Sequence, residues 1–208
     1  VSDTLNEEEQ IEQLKKWWDE NGTSLLVGLV LAVGAVVGWR WYDASQARAV
    51  EEASQLYDSF VNAEGEARIS LGTQIDERIP ATSYQVLSLF YRAREAHDAG
   101  DVEATEALLR EALAAAPDAT LADLARLRLA RVVQQLERSD EALTTLFEIR
   151  SSGFRTHALE LKGDIHMARK ERTLAHEAYR EAVEALAENE NRPVLEMKMH
   201  DTADAASA

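Results

Sequence analysis

From Asn21 to Trp39 the chain carries no charged side chain, whereas the remainder mixes charged and apolar positions at helical spacing. Nineteen residues at a rise of roughly 1.5 Å cover about 28 Å, close to the thickness of a bilayer's hydrocarbon core, so the run predicts one membrane-crossing helix. All four Trp flank it, Trp17 and Trp18 before and Trp39 and Trp41 after, with Tyr42 adjoining. Amphipathic rings favour the headgroup zone, where the ring is half buried and the indole N–H stays wet. Core helices of soluble proteins seldom gather every Trp at their two ends. A removable export signal fits poorly with a long, net negative leading segment and a closing Trp-Arg-Trp-Tyr. The stretch reads as a permanent anchor in membrane lipid.

Within the anchor, Gly28, Ala32, Gly34, Ala35 and Gly38 fall in one arc of the helix, interrupted by Val27 and Leu31. Such a small-residue face, with its Gly34-x-x-x-Gly38 spacing, would let a second membrane helix approach closely; a plain lipid-facing anchor also accommodates it. Ahead of it, Thr4-x-x-Glu7 has the form of a capping box, and Ile11, Leu14 and Trp18 recur on one face. These predict an amphipathic segment over 1–22 that ends near Asn21-Gly22, with Thr23 or Ser24 opening a spanning helix over 23–42.

Beyond Ala44 no second apolar run reaches spanning length. Breaks at Glu64-Gly65-Glu66, Ile79-Pro80, Ala99-Gly100-Asp101, Ala116-Pro117-Asp118, Ser151-Ser152-Gly153 and Arg192-Pro193 separate segments of helical length. Apolar residues recur in them at three- and four-residue steps, as in Ala47, Val50, Ser54, Tyr57 and Val61. The fold class is therefore all-α, with a helical domain over 43–200, a capping helix from Val194 to Met199 and a disordered tail over 201–208.

A repeat runs through this domain. Ala93, Ala130 and Gly163 are each followed 12 positions on by Thr105, Ala142 and Ala175, and 4 after that by Leu109, Leu146 and Tyr179. A small residue in one helix, a small residue where the next crosses it, then a bulky plug toward the following unit is the skeleton of a tetratricopeptide repeat. The pattern predicts a solenoid of helical hairpins, each with an apolar face that only a neighbour can cover. Thr105 replaces the usual Ala, and Arg92 and Lys162 stand where Leu is expected; an Ala/Leu-rich bundle without repeats would share some of this spacing. Residues 44–79 add a helical pair lacking the pattern.

Charge and composition remove other functions. The net charge is −16, with 22 Lys and Arg against 38 Asp and Glu, so we expect no basic surface of the kind that binds nucleic acid. No Cys is present, which excludes disulfides and thiol chemistry. His97, His157, His166, His176 and His200 form no pair at metal-ligand spacing along a helix, although His166 and His176 could meet across a hairpin. No phosphate loop, nucleophile elbow or zincin spacing occurs. We expect no enzyme, cofactor, metal or small-molecule substrate. Orientation is undecided by charge, since Lys15 and Lys16 balance Arg40 and Arg48.

The order of parts, with "IEQLKKWWDENGTSLLVGLVLAVGAVVGWRWYD", "LADLARLRLARVVQQLERSDEAL", "GDIHMARKERTLAHEAYREAV" and a closing "PVLEMKMHD", resembles the ancillary SecYEG translocon subunit (YfgM-like) family over nearly the whole chain. The resemblance implies a single-pass protein of the Gram-negative inner membrane with a cytoplasmic N-terminus and a periplasmic repeat domain. It further implies association with the SecYEG translocon and a PpiD-like membrane-anchored periplasmic chaperone, assisting hand-over of exported chains. An envelope scaffold organising cell-wall or outer-membrane assembly factors would use the same anchor and repeats.

Overall fold

The computed structural model describes residues 2–186 and 191–203, with side chains from Ile11 onward. The chain divides into two compact units, Val1–Glu52 and Ala53–Ala208.

Helix α1 (Ser2–Asn62) supplies the described part of the first unit. Its aliphatic side chains from Leu25 to Val37 are all exposed, Val30 to 69% and Leu31 to 68%. Its most apolar window has a mean hydropathy of 2.0 with only 6% of it buried. A helix this apolar and this uncovered by protein is long and apolar enough to cross a membrane. The break expected at Asn21-Gly22 does not form. Asn21 Nδ2 donates to the Trp17 carbonyl at 3.1 Å, one turn back inside the same helix. The Trp18 indole lies over Gly22, where a Cβ would stand 3.1 Å from the ring. Gly22 thus makes room for an aromatic ring rather than ending a helix. The side chains of Thr4 and Glu7 lie outside the described residues.

The second unit begins with the end of α1 and continues through α2 (Gly65–Arg78), α3 (Ser83–Asp98), α4 (Val102–Ala115), α5 (Ala119–Gln135), α6 (Ser139–Phe147), α7 (Ser152–Ala168), α8 (Arg172–Glu184) and α9 (Pro193–Thr202). No strand occurs among the described residues. Successive helices pack: α2 on α3, α3 on α4, α4 on α5, α5 on α6, α7 on α5, α6 and α8, and α8 on α9. Phe60, buried at the end of α1, packs edge-on against Tyr91 of α3 with ring centroids 5.5 Å apart. Gly72 stands 12 positions after Phe60, and a Cβ there would touch Phe60 and Arg92. The first pair therefore inverts the later scheme, with a large residue where the others carry Ala or Gly. Arg92 stands where Leu is usual because its guanidinium reaches Asp76 of α2 at 2.7 Å.

Three helices of the repeat start on side-chain caps. Thr82 accepts from Gln85 N at 3.2 Å, Asp101 from Ala104 N at 2.9 Å and Asp118 from Leu121 N at 2.9 Å, each cap contributing about 1 kcal/mol. The three hairpins turn through one geometry. Seven residues after Ala93, Ala130 and Gly163, the backbone enters the left-handed region at Gly100 (φ 81°), Glu137 (φ 61°) and Lys170 (φ 64°). The following N–H groups of Asp101, Arg138 and Glu171 reach back to Ala96, Val133 and His166 carbonyls at 2.9, 3.1 and 2.9 Å. Only the first turn carries the Gly this conformation favours, so no break is apparent from the sequence at the other two. Glu137→Gly, at an exposed position, removes a left-handed cost of roughly 1 kcal/mol. The expected result is a thermal midpoint raised by about 2–4 °C, read by circular dichroism.

Helix α9 covers the last hairpin. Leu195 is fully buried against Ala175, Tyr179 and Ala182, a burial that stabilises by about 1.5–3 kcal/mol. The helix runs past the expected end at residue 200. Thr202 is 2% exposed, its hydroxyl bonded to the Met199 carbonyl at 2.9 Å. The Arg172 guanidinium donates to the Asp201 carbonyl at 2.6 Å. Asp201 to Ala203 thus depart from the expected disordered tail because α8 holds them; 204–208 lie outside the described residues.

Candidate functional site

The repeat positions come together inside the solenoid. Ala93, Ala130 and Gly163 are buried, as are Thr105, Ala142, Ala175, Leu109, Leu146 and Tyr179. At the third hairpin the fit is tightest. A Cβ on Gly163 would lie inside 3.0 Å of three Tyr179 ring atoms, and the Tyr179 hydroxyl donates to Asp164 Oδ1 at 2.8 Å. Burial first, then Asp164, pushes that hydroxyl's pKa up, so it stays a neutral donor.

Asp164 also belongs to the fastening of α9. Lys198 Nζ lies 2.8 Å from Asp164 and 3.0 Å from Glu160, and Arg192 lies 2.6 Å from Glu160. Burial would raise the Glu160 carboxyl, but Lys198 and Arg192 outweigh it and hold it below the usual range. A second lattice of charge joins α4 to α6: Arg110 bonds Glu106 at 2.7 Å and also Glu141, and Arg138 bonds Glu106 at 2.7 Å and Glu141 at 2.5 Å.

One buried carboxylate organises a whole junction. Asp123 of α5 is 1% exposed, and its Oδ2 accepts from Arg150 N at 3.0 Å, Ser151 N at 2.8 Å and Ser151 Oγ at 2.7 Å. Its Oδ1 accepts from Arg126 at 2.9 Å. Ser151 is the residue before α7, so Asp123 sets where that helix begins. Burial opposes the charge, yet these donors outweigh it and hold the carboxyl below its ordinary value.

A groove of about 510 Å³ opens between α3 and α5, within the roughly 300–1,000 Å³ usual for ligand pockets. Phe90, Ala93, Leu109 and Val132 form its floor, all buried. Leu87 and Tyr91 wall one side and Leu124 and Arg128 the other, with Tyr57 at the end. The Tyr57 and Tyr84 rings lie tilted with centroids 5.6 Å apart; burial, then the neighbouring Tyr91, raises the Tyr57 hydroxyl pKa. The Arg128 guanidinium lies 4.2 Å over the Phe90 ring. Burial, then the nearby Arg131, lowers the Arg128 pKa, so this cation sits partly stripped of water. Sequence reasoning singled out Ala93 and Leu109 as packing positions and missed Phe90, Arg128 and Arg131. The available signal was Leu124, Arg128, Arg131 and Gln135 at steps of four, three and four, one face of α5.

His166 and His176 bond to other groups. His166 Nδ1 is 2.7 Å from Glu171 Oε2, whereas His176 Nδ1 is 3.0 Å from the Met199 carbonyl, so each has its own partner. Among the described residues no three His, Cys, Asp or Glu cluster as a metal site would require. In the first unit, apart from the helix's own neighbouring backbone, no described atom comes within 4 Å of where a Cβ on Gly28, Gly34 or Gly38 would stand. Trp17, Trp18, Trp39, Trp41 and Tyr42 are exposed, Trp41 to 74%.

The geometry has counterparts. A family model described as tetratricopeptide repeat-like domain matches residues 15–204. A protein of Haemophilus influenzae named ancillary SecYEG translocon subunit is 32% identical over 201 residues, 95% of this chain and 98% of that one. A protein of the same name from Escherichia coli K12 is 30% identical, covering 94% and 96%. Another from Aggregatibacter actinomycetemcomitans is 30% identical, covering 87% and 90%. No solved structure gives a significant match. With apolar helix and repeats matched together along almost its full length, the chain belongs to the ancillary SecYEG translocon subunit family, built on a tetratricopeptide repeat-like domain.

Proposed function

We propose that this chain is a single-pass inner-membrane binding module that associates with the SecYEG translocon and with a PpiD-like membrane-anchored chaperone, assisting hand-over of exported proteins without turnover. The observation that carries the reading is the reach of the match: relatives named for the translocon align over 87–95% of the chain, too much to leave out either the apolar helix or the repeats. The arrangement suits the role. A tether to the bilayer turns a weak encounter with a neighbouring membrane protein into one at high effective concentration. A helical groove then offers a surface for a partner segment. In this reading the N-terminus is cytoplasmic and the repeat domain periplasmic. The open small-residue face of Gly28, Ala32, Gly34, Ala35 and Gly38 packs on a partner's helix, and Trp17, Trp18, Trp39, Trp41 and Tyr42 mark the two interfaces.

Co-purification from detergent-solubilised membranes tests this. The full chain is expected to retain translocon subunits and the chaperone, and Gly34→Leu with Gly38→Leu to insert normally while losing most of that retention. Recovery of cell-wall assembly proteins alone would favour an envelope scaffold instead. Because the chain has no Cys, a single Cys placed at Ser2 reports orientation by its shielding from impermeant thiol reagents.

A further inference from the structure

The groove between α3 and α5 carries a charge that the fold leaves unanswered. None of its lining residues is acidic, while Arg94, His97, Arg128 and Arg131 stand around it, on a chain whose net charge is −16. Many arginines elsewhere in the domain are met by carboxylates, Arg92 by Asp76, Arg126 by Asp123, Arg138 by Glu106 and Arg169 by Asp140, whereas Arg150 rests on the Phe147 ring. Arg128 and Arg131 have no ion-pair partner among the described residues; Arg128 rests on the Phe90 ring, 4.2 Å from its centroid. Among the described residues Arg94 reaches only the exposed Asp98, at 3.6 Å. A cation that is partly desolvated and lacks a counter-ion attracts an anion more strongly than one in open water.

The floor adds a second requirement. Phe90 and Leu109 are 5% and 3% exposed and apolar, recessed in a cavity of about 510 Å³. A free phosphate or a lipid headgroup would satisfy the guanidiniums and leave that floor wet. A peptide satisfies both by seating an apolar side chain while its neighbours reach the rim. The chain's own negative field is screened over about 8 Å at physiological ionic strength, so contact pairs at the groove decide the outcome.

We propose that this groove binds an acidic segment of a protein partner, an apolar side chain resting on Phe90 and Leu109 and flanking Asp or Glu carboxylates pairing with Arg128 and Arg131. The inference rests on reading the domain as a binding module and names the chemistry of what it binds.

The test uses the full chain in zwitterionic nanodiscs and short fluorescein-labelled peptides of identical Leu and Phe content, carrying Glu, Gln or Lys at the flanking positions. Fluorescence anisotropy is expected to show the Glu peptide binding at least about tenfold tighter than the Gln peptide, and the Lys peptide not binding. Arg131→Gln, at an exposed position, and Arg128→Gln are each expected to weaken the Glu peptide about fivefold or more. Arg155→Gln, outside the groove, leaves affinity unchanged. Equal affinity for the Glu and Gln peptides, or no loss in Arg131→Gln, overturns the proposal. So does a Glu peptide that fails to bind while phosphatidylglycerol vesicles raise the melting midpoint through Arg131. Co-purification of translocon subunits with the same protein is a separate readout: retained there with no peptide bound, the module reading stands and this inference falls.

Discussion

Gly163→Ala is expected to lower the thermal midpoint of the helical domain by about ten degrees. The new methyl would overlap Cδ1, Cε1 and Cζ of Tyr179. That ring cannot slide aside easily, because it is 2% exposed and its hydroxyl is tied to Asp164. Either the ring leaves its seat or α7 and α8 part. We expect a net loss of about 3 kcal/mol, after allowing for the roughly 1 kcal/mol that Ala in place of Gly returns to the helix. At about 2–4 °C per kcal/mol for a domain of this size, the shift is easily resolved by circular dichroism of the full chain in detergent. The first two repeats hold the remedy, since the same two positions there are Ala93 with Leu109 and Ala130 with Leu146. Adding Tyr179→Leu to Gly163→Ala should therefore recover most of the loss, giving a coupling of roughly 2 kcal/mol in a double-mutant cycle. Strictly additive effects would show that the two side chains do not share that space.

Asp123→Ala is the second large effect, about 3 kcal/mol of destabilisation from the hydrogen bonds it removes. It leaves the half-buried N–H groups of Arg150 and Ser151 without their acceptor and Arg126 without its partner inside α5. Asp123→Asn keeps an oxygen in place and is expected to cost about 1–2 kcal/mol at neutral pH. The two variants differ in their response to acid. Because the folded-state carboxyl is held below its ordinary pKa, its stabilisation is complete above the unfolded value of about 4 and is lost as pH falls through the lower folded value. Urea melts at neutral pH and near pH 3 should therefore show a smaller drop for Asp123→Asn than for the parent chain. An equal drop would mean that Asp123 is not the group that titrates.

How far each feature was legible follows the distance between the residues that make it. The repeat was readable because its elements are local: a small residue, twelve steps, a small residue, four steps, a plug. The hairpin turns were readable at Gly100, and not at Glu137 or Lys170, where residues poorly suited to the left-handed region adopt it because the packing of the flanking helices demands it. Asn21-Gly22 misled for a related reason. As a pair it suits a helix end, but Trp18 lies over Gly22 and the helix runs through. Asp123 gave no sign of its role, since the groups it satisfies lie 27 and 28 positions away. The groove was hidden likewise, being assembled from Tyr57, α3, α4 and α5.

The sequence by itself determined an uncharged helix flanked by aromatic rings, long enough to cross a bilayer, and a chain of amphipathic hairpins with a small-residue rhythm, because both are properties of side chains a few positions apart. Only the tertiary structure decided that Asp123 anchors α7, that Tyr179 fills the place of the missing Gly163 side chain, and that Arg128 and Arg131 stand over an apolar floor with no ion-pair partner among the described residues. Those are relations between surfaces that meet when helices stack, and what a charge or a cavity can do depends on what the neighbouring helix places against it.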